Sequence, residues 1–156
     1  MLIVFFDIKG VILEEWVPEG TIVDQHYCKE VLIKLRERVR RRRPELWLNG
    51  FIHHQDYAPA HMELSVKQFL TEKGITTLEH LPYSLALAPC DFYLFPKIKS
   101  VLKETRFQSV DAVKEKTTEL LRQLTQDDLR HTFDQWKTRM DRCVRAEGEY
   151  IEGENY

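Results

Sequence analysis

A short segment of the chain, residues 53–61, concentrates side chains that can bind a metal ion or move a proton. It holds three histidines and Asp56, between a β-prone stretch and Pro59, which can open a helix. A further carboxylate, Asp91, follows after 34 intervening residues. Functional groups collect where strands end in sheets flanked by helices, so this junction is a candidate site. Taken singly, Asp91 is better explained as a helix N-cap and Asp56 as a turn residue.

The histidines of this segment also raise the alternative of a zinc site, completed by Cys28 or Cys90. The spacing of His53, His54 and His61 fits no standard zinc pattern, so a zinc site is disfavoured. The chain has three cysteines and no C-x-x-C pair. This usage argues against structural disulfides and is typical of a reducing compartment.

A second chemical feature is a run of basic residues between positions 34 and 43. These ten positions hold seven basic residues and one acid, Glu37, although the whole chain carries a formal net charge of −2. A basic run on a nearly neutral chain indicates a polyanion partner such as nucleic acid. The alternative is the solvated face of a helix. The candidates for binding nucleic acid are the four consecutive arginines Arg40, Arg41, Arg42 and Arg43.

Length and composition predict one globular domain. The chain has 156 residues, of which 43% are hydrophobic and 31% charged, which excludes a disordered or collagen-like chain. The domain is expected over residues 1–146, followed by an acidic, frayed tail at 147–156. No apolar run approaches the roughly 20 residues needed to span a bilayer, so no membrane partner is expected.

The elements that must position these residues are predicted from hydrophobic periodicity and capping signals. Two short strands, 2–6 and 11–17, read as an antiparallel hairpin, and a helix capped by Asp24 carries the basic run. Strands at 48–53 and 76–81 flank a helix opened by Pro59 and ended by Gly74, and are expected to be parallel. Helices follow at 91–103, after Ser109 and after Thr125, with inward faces that include Val110 and Val144. The order predicts a mixed α/β sheet flanked by helices.

Two blocks of the sequence match a known pattern together. Residues 54–61 read HQDYAPAH, and residues 82–95 read PYSLALAPCDFYLF. Their spacing and content resemble the core of mariner-family transposases, which show H-x-D-N-A-P-A-H, then 34 intervening residues, then Y-S-P-D-L-A-P-x-D-[FY]-x-L-F. The resemblance extends along essentially the whole chain.

This resemblance implies an RNase H-like α/β fold and the family's DNA cleavage and strand transfer, performed by three aspartates. By resemblance, Asp56 and Asp91 are catalytic and are the second and third ligands of Mg²⁺ or Mn²⁺. Their carboxylates are then expected within about 4–7 Å of each other. The implied partner is DNA and the implied location is the nucleus, and a homodimer stays open.

The departures from the family pattern imply impaired catalysis. The family's first aspartate lies in a T-G-D-E-x-W segment that does not occur in these residues, so the first strand and first ligand are expected to be missing. Tyr57 replaces the Asn that follows the second aspartate, and Leu85-Ala86 replace Pro-Asp. The alternative function is a non-catalytic DNA-binding or protein-interaction module. A third alternative is a nuclease that uses Asp7 with the other two aspartates, although Asp7 aligns just before the hairpin turn, where a turn role is favoured.

A missing central strand predicts one of two arrangements of the sheet. Either strand 2–6 moves across to pair directly with strand 48–53, or the two edges stay apart and the fold is marginal. The first arrangement would bring Asp7 closer to Asp56.

Overall fold

The computed structural model describes residues 1–55, 63–78 and 85–146. In chain order, the elements are β1 (Leu2–Asp7), β2 (Gly10–Trp16), α1 (Gln25–Arg42), α2 (Pro44–Asn49), β3 (Ile52–His54), α3 (Leu64–Glu72), β4 (Thr76–Leu78), a 3₁₀ turn (Leu85–Leu87), a π-helical turn (Cys90–Leu94), α4 (Phe95–Lys103), α5 (Val110–Arg122) and α6 (Gln126–Arg145). The predicted order of strands and helices is confirmed for these residues, with α2 as an addition. None of the helices in the described part is long and apolar enough to cross a membrane.

The described residues fall into two compact units. The first contains β1, β2 from Val11 onward, β3 and β4 with α1, α2 and α3, and the second contains Ile8–Gly10 and the described residues from Leu85 onward.

The predicted hairpin is confirmed. β1 pairs with β2, and only two residues connect them, a length that fits antiparallel strands alone. The Val17 amide donates to the Met1 carbonyl at 2.9 Å, which closes the open end of the ladder. Gly10 follows the connection with φ +131°, a backbone conformation that side chains disfavour.

The two later strands form a separate parallel pair. Ile52, His53 and His54 of β3 are aligned with Thr76, Thr77 and Leu78 of β4, and α3 lies between the two strands in the chain. Because β1 pairs with β2 and β3 pairs with β4, the described strands make two sheets of two strands each. Of the two arrangements predicted for the sheet, β1 and β3 therefore show the second, in which their edges do not pair with each other. The rings of Phe5 and His53 nevertheless lie 5.6 Å apart, so the two sheets touch through side chains.

α1 is the organising helix of the first unit. Its N-cap is Asp24, as predicted, whose carboxylate accepts a hydrogen bond from the Tyr27 amide at 2.9 Å. One face of α1 is a buried apolar stripe, and its members are Cys28, Val31, Leu32, Leu35 and Val39. Against this stripe pack residues of β2 and α3, namely Ile12, Leu13, Val66, Phe69 and Leu70. Burial of each such side chain contributes about 1.5–3 kcal/mol of favourable free energy, so the stripe determines which face of α1 points toward solvent.

The strand predicted at 48–53 is wrong in its first half. Residues 44–49 form the short helix α2, and the strand begins only at Ile52. Pro44 occupies the first turn of α2, where the absence of an amide hydrogen costs nothing, so this proline starts a helix as well as ending α1. Gly50 then ends α2 with φ +81°. Leu48, which the strand interpretation would have paired, is exposed.

The second unit contains the C-terminal helices, and their predicted starts are confirmed. The Ser109 hydroxyl accepts from the Ala112 amide at 3.1 Å, and the Thr125 hydroxyl accepts from the Asp128 amide at 3.2 Å. Two threonines are almost fully buried because each hydroxyl donates to the carbonyl four residues earlier: Thr117 in α5 and Thr132 in α6.

Two predicted inward positions in these helices are wrong. Val110 and Val144 are both largely exposed. Val110 is the first residue of α5, ahead of the buried Thr117 and Leu121 of that helix. Val144 directly follows the buried Cys143, and the rotation of about 100° per residue turns its side chain toward solvent.

Candidate functional site

The exposed end of α1 carries a compact positive surface, which we call the arginine surface. It consists of Arg40, Arg41 and Arg42, all exposed in the last turn of the helix. Basic side chains at a helix C-terminus complement the negative end of the helix dipole, so the fold tolerates this concentration of charge. Exposed guanidinium groups can pair with phosphate oxygens in two-point geometry, which makes the arginine surface a candidate for binding a polyanion.

One carboxylate, that of Glu37, reduces the positive charge of the arginine surface. Glu37 lies one turn earlier on α1, and its Oε2 is 2.8 Å from Arg40 Nη2 and 4.0 Å from Arg41 Nε. The hydrogen bond from Arg40 lowers the pKa of the Glu37 carboxyl below its usual range. Glu37 is therefore ionised at neutral pH and offsets part of the positive charge.

The fourth predicted arginine does not belong to this surface. The Arg43 side chain is 13% exposed and makes a two-point ion pair with Asp7, whose side chain is 22% exposed. Arg43 Nε donates to Asp7 Oδ2 at 2.8 Å and Nη2 donates to Oδ1 at 3.1 Å. Arg43 is the C-cap of α1 with φ −133° and ψ 65°, so the chain leaves the helix there and no longer continues its exposed face. The prediction that all four arginines are exposed is wrong for Arg43.

The same ion pair bears on the three-aspartate alternative. Asp7 is the last residue of β1, beside the hairpin turn as predicted. Both of its carboxylate oxygens accept hydrogen bonds from one guanidinium group, whose positive charge repels any cation at the same oxygens. This arrangement counts against Asp7 as a metal ligand.

Asp91 is the second residue of the π-helical turn Cys90–Leu94. It is therefore not the helix N-cap that the sequence favours for it, since Pro89 is the N-cap of this turn. The amides of Asp91 and Phe92 both donate to the Ala88 carbonyl, at 2.9 and 3.0 Å. The Phe95 amide then donates to the Cys90 carbonyl, five residues earlier, which closes the π-helical turn. Asp91 is partly exposed, and Leu94 at the end of the turn is completely buried. The burial of Leu94 thus anchors the C-terminal end of the turn.

Side chains of α4 and α6 contact the two aromatic residues that follow Asp91. The Arg139 guanidinium of α6 lies 3.9 Å from the centre of the Phe92 ring. The Lys97 ammonium of α4 lies 5.4 Å from the centre of the Tyr93 ring. Sequence reasoning missed both cations. Lys97 is four residues from Tyr93 and could have been found from helical spacing, whereas Arg139 is 47 positions from Phe92 and gives no local signal.

The remaining predicted site residues lie outside the described residues. These include Asp56, Tyr57 and His61. Within 1–55, 63–78 and 85–146, no group of three His, Cys, Asp or Glu side chains is placed so that it could hold a metal ion. The predicted separation of Asp56 and Asp91 stays a prediction, as does the frayed tail at 147–156.

Comparisons with known proteins point to one family. A family model described as "Transposase (partial DDE domain)" matches residues 1–49. The mariner Mos1 transposase of Drosophila mauritiana is 31% identical over 97% of this chain and 45% of its own length. The histone-lysine N-methyltransferase SETMAR of Homo sapiens is 25% identical over 97% of this chain and 22% of its own length. The chain therefore spans less than half the length of these curated relatives.

Solved structures agree with the sequence matches. The catalytic domain of Mos1 superposes with a TM-score of 0.88 at 31% identity, over 97% of this chain and 75% of that chain. Two further Mos1 structures match at 31% identity over 97% of this chain and 44% of theirs: a paired-end complex with Mn (TM-score 0.88) and a paired-end complex with the left transposon end (TM-score 0.87). These matches confirm the predicted RNase H-like α/β fold.

Proposed function

This chain belongs to the mariner family of transposases, and we propose that it binds DNA through the arginine surface and presents Asp56 and Asp91 as metal-binding carboxylates of a DNA-cleaving site. The match to the Mos1 catalytic domain over 97% of the chain carries this proposal. The Mos1 complexes with Mn and with the left transposon end support it, since they associate a divalent metal and DNA with a relative. Because those complexes are paired-end complexes, we include a homodimer in the proposal, and chromosomal DNA as the substrate implies a nuclear location.

The DNA-binding half of the proposal rests on charge and exposure. Three adjacent guanidinium groups project from the end of α1, where the duplex backbone can approach without displacing packed side chains. Each phosphate neutralised by an arginine releases condensed counterions, which favours binding and makes it sensitive to salt. The contacts would position the duplex without reading its sequence, since phosphate contacts carry no base information.

The cleavage half of the proposal rests on Asp91. Asp91 is partly exposed in an anchored turn, and carboxylate oxygens are the ligands that Mg²⁺ and Mn²⁺ prefer. A bound ion of this kind would supply an activated water or hydroxyl and would stabilise the leaving oxygen. Asp7 is paired with Arg43 and is not offered as a further ligand, so we propose that cleavage by this chain is slow.

A second candidate function is a DNA-binding module without catalysis. The specific observation in its favour is the Asp7–Arg43 ion pair, which engages both oxygens of the carboxylate that ends β1. A module of this kind would keep the arginine surface and lose metal-dependent chemistry.

Nicking of supercoiled plasmid with and without Mn²⁺ distinguishes the two functions. The chain is compared with Asp56→Ala and Asp91→Ala, and with Asp111→Ala, which removes an exposed acid from the first turn of α5, as a matched control. Nicking that requires Mn²⁺, is lost in both site variants and persists in the control supports the cleaving site. Salt-sensitive DNA binding without nicking supports the module, and nicking that survives Asp91→Ala contradicts the proposed site.

Substitution of Glu37 by glutamine should strengthen DNA binding about two- to five-fold at neutral pH, because the neutral side chain no longer offsets the positive charge of Arg40. Fluorescence anisotropy with a labelled duplex measures the change, and Glu30→Gln, two turns away on the same helix, is the control.

The lowered pKa of Glu37 means that its carboxylate stabilises the fold at pH values above the ordinary carboxyl range. This contribution is lost as pH falls through the lowered pKa. The variant and the parent should therefore bind alike in acid. Equal affinities at pH 7 would show that Glu37 does not moderate the surface.

A further inference from the structure

The π-helical turn around Asp91 is a local structure that needs support. Its closing bond joins the Phe95 amide to a carbonyl five residues earlier, and such turns are rare and concentrate at functional sites. The turn is short, and the carboxylate of Asp91 is one residue away from its start. Contacts that other elements make with this turn therefore bear on the direction of its side chains.

Arg139 of α6 makes two contacts that bracket Asp91 along the chain. Its guanidinium lies 3.9 Å from the centre of the Phe92 ring, on the residue directly after Asp91. Its Nη1 also donates to the Ala86 carbonyl at 3.1 Å, in the 3₁₀ turn before Asp91. A planar guanidinium can stack on a ring and donate in its own plane at the same time, whereas a lysine ammonium cannot.

A second cation, Lys97, contacts the ring of Tyr93, the residue that follows Phe92. The Lys97 ammonium lies 5.4 Å from the centre of the Tyr93 ring and 3.3 Å from Asp128 Oδ2 of α6. Asp128 itself lies in the first turn of α6, where Thr125 caps the helix. The segment that contains Asp91 is thus tied to α6 at two places, through Arg139 and through Asp128.

We propose that Arg139 is a positioning residue, which holds the Asp91 carboxylate in the orientation that a divalent cation requires by stacking on Phe92 and bonding to Ala86. This inference rests on the proposed role of Asp91 as a metal ligand. Mg²⁺ demands near-ideal octahedral geometry, so a ligand that moves within its turn loses affinity without losing its charge. Mutation of a residue that orients a metal ligand without contacting the metal typically lowers metal affinity or activity about 10- to 100-fold.

The test compares Arg139→Met and Arg139→Lys with the unaltered chain, and uses Arg130→Met, an exposed arginine of the same helix, as the matched control. The first readout needs no metal: amide hydrogen exchange of residues 91–93 against that of α5. We expect exchange at 91–93 to rise at least tenfold in Arg139→Met, beyond any change shared with α5. We expect a smaller rise in Arg139→Lys, and no local rise in the control. The second readout is Mn²⁺ affinity by calorimetry, expected to fall at least tenfold in Arg139→Met.

The outcomes separate this inference from the proposed function. A uniform rise in exchange across α5 and the turn would show that Arg139 is only structural, and would overturn the inference. So would a Mn²⁺ affinity that depends on Asp91 and is unchanged by Arg139→Met. If the unaltered chain and Asp91→Asn bind Mn²⁺ equally, the proposed function fails, while unchanged local exchange in Arg139→Met would still reject Arg139 as the support of the turn. If Arg139→Met does not fold, Phe92→Leu removes the stacked ring and must give the same local pattern.

Discussion

Replacement of Arg40, Arg41 and Arg42 together by glutamine is expected to lower the affinity for duplex DNA by at least about tenfold at low salt. The three side chains are exposed at the end of α1, and each phosphate contact contributes about 0.9 to the slope of log K against log[salt], so the slope should fall by about 2.7. Anisotropy titrations between low and moderate salt measure both quantities. Packing of α1 should be untouched, because its buried stripe lies on the other face.

The matched control removes the same charge elsewhere. Arg122, Arg130 and Lys137 are exposed on α5 and α6, and their joint change to glutamine alters net charge equally. It should affect the slope far less than the α1 variant does. Equal slopes for the two triple variants would mean that net charge, and not the arginine surface, governs DNA binding.

Breaking the Asp7–Arg43 ion pair should cost about 2 kcal/mol of unfolding free energy for either single change, Asp7→Asn or Arg43→Gln. Both side chains are more than three-quarters buried, so the loss of one partner leaves a largely desolvated charge without its neutralising group. This value lies below the range of about 3–5 kcal/mol for fully buried pairs because some solvent reaches both groups. Urea titrations of the single and double variants form a cycle, in which the double variant should lose less than the sum.

An exposed ion pair in the second unit provides the comparison. Arg145 and Asp141 are 3.0 Å apart with side chains 78% and 59% exposed, so Asp141→Asn should change stability by less than about 0.5 kcal/mol. Arg43→Gln should also leave the salt slope of DNA binding unchanged, since Asp7 already neutralises that guanidinium. A slope that falls as it does for the arginine surface would return Arg43 to the set of DNA contacts.

The features that could be predicted from sequence are those with local causes. Asp24, Ser109 and Thr125 cap their helices because a side-chain oxygen reaches an amide three residues later, a distance that the chain itself fixes. The buried stripe of α1 follows equally from helical periodicity. The exposure of Arg40 to Arg42 could be predicted for the same reason, because these residues continue the polar face of that helix.

The features that could not be predicted depend on contacts between distant residues. Residues 44–49 have enough apolar content for a strand or a helix, and only the position of Pro44 after α1 favours the helix. The burial of the Arg43 side chain depends on its ion pair with Asp7, which lies 36 positions earlier in the chain. Arg139 reaches Ala86 across 53 positions, a relation that no periodicity encodes. The chemistry of Asp91 could be anticipated, but the groups that hold it could not.

The π-helical turn at Cys90–Leu94 also constrains how this segment can change in length. Such a turn is equivalent to an α-helix with one additional residue, and each residue of an α-helix rotates the side-chain direction by about 100°. Deletion of one residue between Asp91 and Phe95 would favour an ordinary helix continuous with α4. The carboxylate would then point about 100° away from its present direction, although no charged residue had been lost. The number of residues in this turn therefore matters as much to the site as their identity.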